Sequence, residues 1–239
     1  MRALRRWNEM ADRGVLIVLE GPEGSGKTTQ ADLLRRYLEG RGMEVVLVRE
    51  PGGTETGRRI RRILKEPGLR LVPEAELLLF EASRAQLVRE VLVPALERGA
   101  AVVCDRFTLS TEVYQGAAGG LDSRLVASLN RFATGGLEPD LVVVLDLTAA
   151  RGRRRLGIDT ADASQGFLFA DRQPDRIERR SKEFHRRVVS AYRRVARRRG
   201  RVHLLAAEAP PGEIHEEIVR LVERLLRSRG GTTRSDGEP

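Results

Sequence analysis

The stretch Gly21-Pro22-Glu23-Gly24-Ser25-Gly26-Lys27-Thr28-Thr29 follows the apolar run Val15–Leu19 and opens an amphipathic pattern over Thr29–Glu39. It fits G-x-x-x-x-G-K-[ST], with Gly21, Gly26, Lys27 and Thr28 at the fixed positions. It also sits where the motif's mechanism needs it, after a buried strand and before a helix. Glycines let the backbone curl so that successive N–H groups point into one concavity, and the helix adds its positive N-terminal end. Lys27 is placed to reach β- and γ-phosphates, and the Thr28 hydroxyl to ligate Mg²⁺. The plain alternative is a glycine-rich turn that binds nothing. It leaves unexplained why a chain whose 43 basic residues include only three lysines (Lys27, Lys65, Lys182) spends one here.

Four further apolar runs resemble the first: Val45–Val48, Ala101–Cys104, Leu141–Leu145 and Val202–Leu205. Each reads as a strand covered on both faces. Helical patterns lie between them at Glu55–Leu64, Pro73–Arg98, Asp122–Ala133, Pro174–Arg199 and Glu213–Arg227. Strands alternating with helices predict an α/β fold, a five-stranded parallel sheet with helices on both faces. In 239 residues this makes one domain over residues 14–228, between a flexible N-terminal extension, 1–13, and a flexible tail, 229–239. Residues 157–173 have no helical period and read as a long loop. The single cysteine, Cys104, excludes a disulfide framework, and no apolar run is long enough for a signal sequence or a membrane span. A cytoplasmic protein with no membrane partner is expected.

The net charge of +9 is concentrated. Residues 151–201 hold seventeen Lys and Arg against six Asp and Glu. Such a block suits nucleic acid, a solvated helix face, or arginines gathered around polyphosphate. Its few aromatic residues do not interleave the arginines as a stacking platform would require, so nucleic acid is not the expected partner.

In a parallel sheet ligands bind beyond the carboxyl ends of the strands. The segments there read GPEGSGKT, REPGGT, DRFTLSTEVYQG and DLTAARGRRR. Phe80 and Arg84 are four apart and share a helix face, so a ring able to stack on a base stands beside a donor-only side chain. A donor suits the 4-oxo group of thymine or uracil better than the 4-amino group of cytosine; the alternative for Phe80 is plain core. Arg106 and Arg49, each at a strand end, are candidate phosphate clamps. Asp105 is a candidate to hold Mg²⁺ through water or to orient Arg106. The alternative for all three is a structural ion pair.

Together these stretches closely resemble the thymidylate kinase family, of the P-loop nucleoside-monophosphate kinase class. The matching residues are Gly21–Thr29, Arg49–Thr54, Phe80–Arg84, Asp105-Arg106, Ser110 with Tyr114–Gly116, and Asp175–Glu178, in order over about residues 14–205. The resemblance implies a homodimer that transfers the ATP γ-phosphate to dTMP with Mg²⁺, using catalytic Lys27, Arg106, Arg155 and Arg176. It implies an ATP loop of residues 21–29 and a metal held by Thr28 and Asp105. Acceptor binding falls to Glu23, Arg49, Phe80, Arg84, Arg106, Thr111, Tyr114 and Gln115. Within that set Glu23 meets the 3′-hydroxyl, Thr111 and Gln115 line the base pocket, and Tyr114 fills the space beside C2′. Because the acceptor is already an ionised phosphate oxygen, alignment and charge neutralisation carry the chemistry. No basic residue stands among Pro22, Glu23, Gly24 and Ser25, so positive charge is expected from a lid over about 151–176. Arg153 and Arg172 are weaker candidates than Arg155 and Arg176. The lid is longer than the family's usual one and includes Phe167 and Phe169. Competing readings are a kinase for another nucleoside monophosphate and a nucleic-acid-binding P-loop ATPase.

Overall fold

The computed structural model describes residues 13–158, 174–197 and 200–230. Five parallel strands form one sheet in the order β2-β3-β1-β4-β5: β1 Leu16–Glu20, β2 Val45–Arg49, β3 Ala101–Asp105, β4 Leu141–Asp146 and β5 Val202–Ala206. Each apolar run of the sequence is one of these strands. The helices are α1 Lys27–Gly40, α2 Glu55–Lys65, α3 Pro73–Leu87, α4 Val93–Glu97, α5 Thr108–Thr111, α6 Ser123–Thr134, α7 Ala149–Arg155, α8 Lys182–Ala196 and α9 Pro211–Gly230. Wide π-helical turns extend α3 into α4 over Val88–Leu92 and continue α5 over Glu112–Ala117.

The pleat divides the strand side chains between two cores. Leu16 and Val18 of β1, Val102 and Cys104 of β3, and Val142 and Val144 of β4 pack with α3–α5 and α8. Ile17, Leu19, Val103, Val143 and Leu145 face α1 and α9. Burying one such side chain is worth about 1.5–3 kcal/mol, so β1, buried along its whole length, anchors the fold. The same parity aims the polar residues at the strand ends. Glu20 falls on the α5/α8 face and Asp105 on the α1 face, each beside the helix it bonds.

Three expectations about the chain's organisation need correction. Arg13, assigned to a flexible extension, is buried and forms a bidentate pair with Asp140. Arg229, assigned to the tail, also reaches Asp140 at 2.7 Å and lies in α9, which runs to Gly230. The reason is one carboxylate, Asp140, whose charge is matched by arginines from both ends. The pattern Pro174–Arg199 is helical only from Lys182. Before that, Asp175 accepts the backbone N–H groups of Ile177 and Glu178, and Ser181 caps α8 by accepting from Phe184. The short helices α5 and α7 were not foreseen. Residues 1–12, 231–239 and 159–173, with Phe167, Phe169 and Arg172, lie outside the described residues. Among the described residues no helix is long and apolar enough to cross a membrane.

Candidate active site

The phosphate loop bridges β1 and α1. Gly26, at φ 92°, is the N-cap of α1, where the left-handed backbone leaves the first N–H groups of the helix directed outward. The loop's tip is wedged against α7. A Cβ on Gly152 would lie 2.3 Å from the Glu23 carbonyl oxygen, and one on Gly24 would lie 2.5 Å from that of Gly152. Backbone therefore meets backbone, and α7 is held close enough for Arg155 to reach Gly24 O at 3.5 Å and Ala207 O at 2.9 Å. Lys27 turns its ammonium onto Gly21 O, Pro22 O and Ser25 Oγ. Burial lowers its pKa to about 8, with Arg106 adding to the effect and Glu23, Asp105 and Glu20 opposing it.

At the end of β3, Thr28 donates to Asp105 Oδ2 at 2.8 Å, and Arg49 Nε lies 3.7 Å from the same oxygen. Asp105 Oδ1 is buried and has no hydrogen-bond partner. A hydroxyl beside a carboxylate with a free oxygen, next to a phosphate loop, fits Mg²⁺, which takes one or two protein ligands plus phosphate oxygens and water. Among the described residues no group of three or more His, Cys, Asp or Glu side chains is placed to hold a metal on its own.

Arg106 is the one non-glycine residue in the described structure with a positive φ, 77°. Such a conformation costs about 1–3 kcal/mol and is held by its surroundings. Glu20 supplies the hold. One oxygen accepts the N–H groups of Phe107 and Ser110, and the other accepts the hydroxyls of Ser110 (2.6 Å) and Tyr192 (2.8 Å). The Arg106 guanidinium donates to Gly21 O, Ser110 Oγ and Tyr192 on one side, and pairs with Glu23 at 2.8 Å on the other. Burial would raise the Glu23 carboxyl, but Arg106, Lys27 and Lys65 outweigh it and hold the pKa at about 2.

Glu23, Arg49, Phe80, Arg84, Arg106, Thr111, Tyr114 and Gln115, the whole acceptor set, line one cavity. Phe80 and Arg84 share the α3 face that borders it, and the π-helical turns after α5 bring in Tyr114 and Gln115. Arg84 lies at the bottom, 1% exposed, between Glu50 (2.6 Å) and Glu81 (2.8 Å). It also donates to Thr111, Asn130 and the Phe107 carbonyl, so its donors are taken by the protein. Burial pushes Glu50 up to about 7 against the pull of Arg84.

The same cavity is also lined by Glu50, Pro51, Asp175 and Ile177, from stretches singled out in the sequence without an assigned role, and by Arg61, Leu64 and Lys65 of α2. Burial, with Arg49 nearby, brings Arg61 down to about 10. Lys65 pairs with Asp175 at 2.5 Å, tying the end of α2 to the segment before α8. Arg176 lies next to this wall, between Asp175 and Ile177 in the chain. Its Nε donates to Leu64 O, and Nη2 pairs with Glu76 at 2.6 Å, so the structure places it on the acceptor side and not at the phosphate loop. Glu20 had a readable signal, a lone acid ending an apolar run. Arg61 and Lys65 had none beyond the polar face of α2.

A phosphate loop beside a cavity lined by arginines and acids, both at the carboxyl ends of a five-stranded parallel sheet, fits the class of P-loop nucleoside-monophosphate kinases. The family model described as thymidylate kinase matches residues 19–218. The thymidylate kinase of Desulfovibrio desulfuricans is 44% identical over 218 residues, 90% of this chain and 98% of that one. The Deinococcus radiodurans enzyme is 45% identical over 86% of this chain and 95% of its own. Among solved structures, the crystal structure of thymidylate kinase from Ehrlichia chaffeensis superimposes with a TM-score of 0.68 at 28% identity, over 88% of this chain and 99% of that one. The chain belongs to the thymidylate kinase family.

Proposed function

We propose that this protein transfers the γ-phosphoryl group of ATP to dTMP, giving dTDP and ADP. The observation that carries the reading is the convergence of all eight acceptor residues on one cavity, whose Glu23 and Arg106 also belong to or touch the phosphate loop. Phe80 stacks on the base, and Thr111 and Gln115 line its edge. Arg84 reads the 4-oxo group only by exchanging one of its present acceptors for the base carbonyl. Tyr114 fills the space beside C2′, and Glu23 accepts from the 3′-hydroxyl, its carboxylate ionised throughout the working pH range. Arg106 and Arg49 hold the acceptor phosphate. Its attacking oxygen is already ionised, so no side chain has to remove a proton. The loop residues Gly21, Pro22, Glu23, Gly24, Ser25, Gly26, Lys27, Thr28 and Thr29 cradle ATP. Thr28 and Asp105 would hold Mg²⁺, which would supply charge neutralisation to the phosphates.

Among the arginines expected to neutralise the moving phosphoryl group, Arg155 is our first choice because it already touches the loop. Arg176 serves that role only by leaving Glu76. Purified protein assayed for ADP release should use dTMP best, dUMP less well, and dCMP, AMP and thymidine poorly. Equal kcat/KM for dCMP and dTMP would sink the assignment.

We further propose a single kinase domain acting in the cytoplasm as a homodimer. Phe132 (71% exposed) and Leu125, seven apart on α6, and Leu78 on the neighbouring α3 leave large apolar side chains in water. A second copy of this chain is the occupant that hides such side chains from water. Light scattering should give a dimer that Phe132→Glu converts to monomer; a wild-type monomer refutes the assembly. We propose no nucleic-acid partner. In the basic segment Arg176 and Arg180 pair with Glu76, Arg187 with Glu183 and Arg193 with Asp146.

A further inference from the structure

Glu76 stands in the first turn of α3, 1% exposed, and none of the roles above uses it. Its two oxygens are divided. Oε1 accepts from Gln115 Nε2 at 2.8 Å. Oε2 pairs with both Arg176 and Arg180 at 2.6 Å. A buried carboxylate flanked by two guanidiniums has its charge matched, and an ionised carboxylate accepts hydrogen bonds but cannot donate them.

This has a consequence for Gln115. A side-chain amide carries a donor at one end and an acceptor at the other, and its partners decide which end points where. With Glu76 as the partner the nitrogen must face Glu76. The carbonyl oxygen is then left for the cavity that Gln115 lines, where no described residue donates to it. Pyrimidine bases differ at ring position N3. Thymine and uracil carry an N–H donor there, whereas cytosine carries a lone pair. An oxygen fixed toward the base accepts from the first kind and repels the second. Arg84 cannot make this distinction unaided, because Glu50, Glu81, Thr111 and Asn130 already occupy its donors.

We propose that Glu76 is a positioning residue for base choice: it locks the Gln115 amide so that the acceptor cavity demands a ring N–H donor. Arg176 and Arg180 hold the other oxygen of Glu76, 2.6 Å away. The base filter is therefore complete only when the segment after residue 173 is seated on α3. The inference rests on the proposed dTMP kinase activity.

Glu76→Gln is the direct test. The new amide has a donor end, which frees Gln115 to turn its nitrogen toward the base. The dTMP-to-dCMP ratio of kcat/KM should fall about tenfold or more, with dCMP improving in absolute terms. A purely structural role lowers both substrates together and leaves the ratio alone. Gln115→Met removes the amide at similar size and should lower the ratio by itself. Adding Glu76→Gln to it should then change the ratio no further, and Gln115→Met carries the test if Glu76→Gln does not fold. A ratio within twofold of wild type in either single variant, with dTMP still phosphorylated, overturns this inference alone. A wild-type protein inactive on dTMP overturns the proposed function and the inference with it.

Discussion

The acceptor cavity and the phosphate loop share Glu23 and Arg106, yet the two regions are held together by different means. Around the cavity the holding is done by side-chain charge. Arg84 is locked between Glu50 and Glu81, Glu76 between Arg176 and Arg180, and Asp175 against Lys65. The phosphate loop is held by backbone. Gly24 and Gly152 touch without side chains between them, and Lys27 bonds to carbonyls of its own loop. An acceptor site must choose among similar bases, and rigid directional donors and acceptors do that. A donor site must grip phosphates that every nucleoside triphosphate carries, and N–H groups with one mobile ammonium suffice. The difference teaches that substitutions on the two sides should fail in different ways.

The largest expected effect falls where the regions meet. Arg106→Gly removes the guanidinium but suits the left-handed backbone, φ 77°, that any other replacement strains. We expect kcat/KM for dTMP to fall by about 2–4 kcal/mol, the range for a charged phosphate clamp, while the melting temperature moves by no more than roughly 5 °C. Steady-state kinetics beside thermal unfolding separates the two quantities. An active variant, or one that fails to fold, would show Arg106 to be a strut of the Glu20 network and not a clamp.

A smaller effect, confined to the donor side, is expected from Gly152→Ala. Alanine favours a helix by about 1 kcal/mol over glycine, so the exposed reading of this position predicts a gain. The added Cβ meets the Glu23 carbonyl at 2.3 Å, so the loop must shift. We expect kcat/KM for ATP to fall about tenfold or more and KM for dTMP to stay within roughly threefold, since misplacement by an ångström costs up to a hundredfold. Arg155→Ala should lower kcat in the same assay more than it raises either KM. Equal losses for both substrates would erase the contrast between the regions.

The same contrast explains how far the sequence could be read. All five strands were legible because continuous apolar runs bounded by polar groups have few other uses in a parallel sheet. The residues that come together in the cavity could be picked out because their types are rare in combination, as in Phe80 with Arg84. Helices α5 and α7 were not legible, since four and seven residues, with one leucine and two alanines as their apolar members, are too short to show a periodicity. Glu76, Arg61 and Lys65 were not legible either. A charged residue on an amphipathic helix looks solvated until a distant segment, here Asp175–Arg180, lies down on it. Arg13 and Arg229 were misread for the same reason, because Asp140 joins two residues that are 216 apart in the chain.

The smallest effect is a pH dependence that isolates Lys27. In the ligand-free protein burial brings this ammonium from its ordinary 10.5 down to about 8, while Glu23, at about 2, is ionised throughout. Phosphate binding needs the charged form. The Kd for ATP should therefore be nearly flat below pH 7 and weaken roughly tenfold between pH 7 and 9, since each unit above the pKa removes a factor of ten. Stability of the ligand-free fold moves in the opposite direction. A buried ammonium with a depressed pKa is costly while protonated, so the unfolded chain holds the extra proton between about 8 and 10.5, and stability rises with pH across that window. Lys27→Arg supplies the control, because its guanidinium stays charged throughout, and it should show neither slope. Calorimetric ATP titrations and denaturant midpoints for both proteins, taken as wild type minus variant, measure the two trends. If affinity and stability fall together with rising pH, the Lys27 ammonium is not buried against the loop carbonyls, and the donor side is held by charge after all.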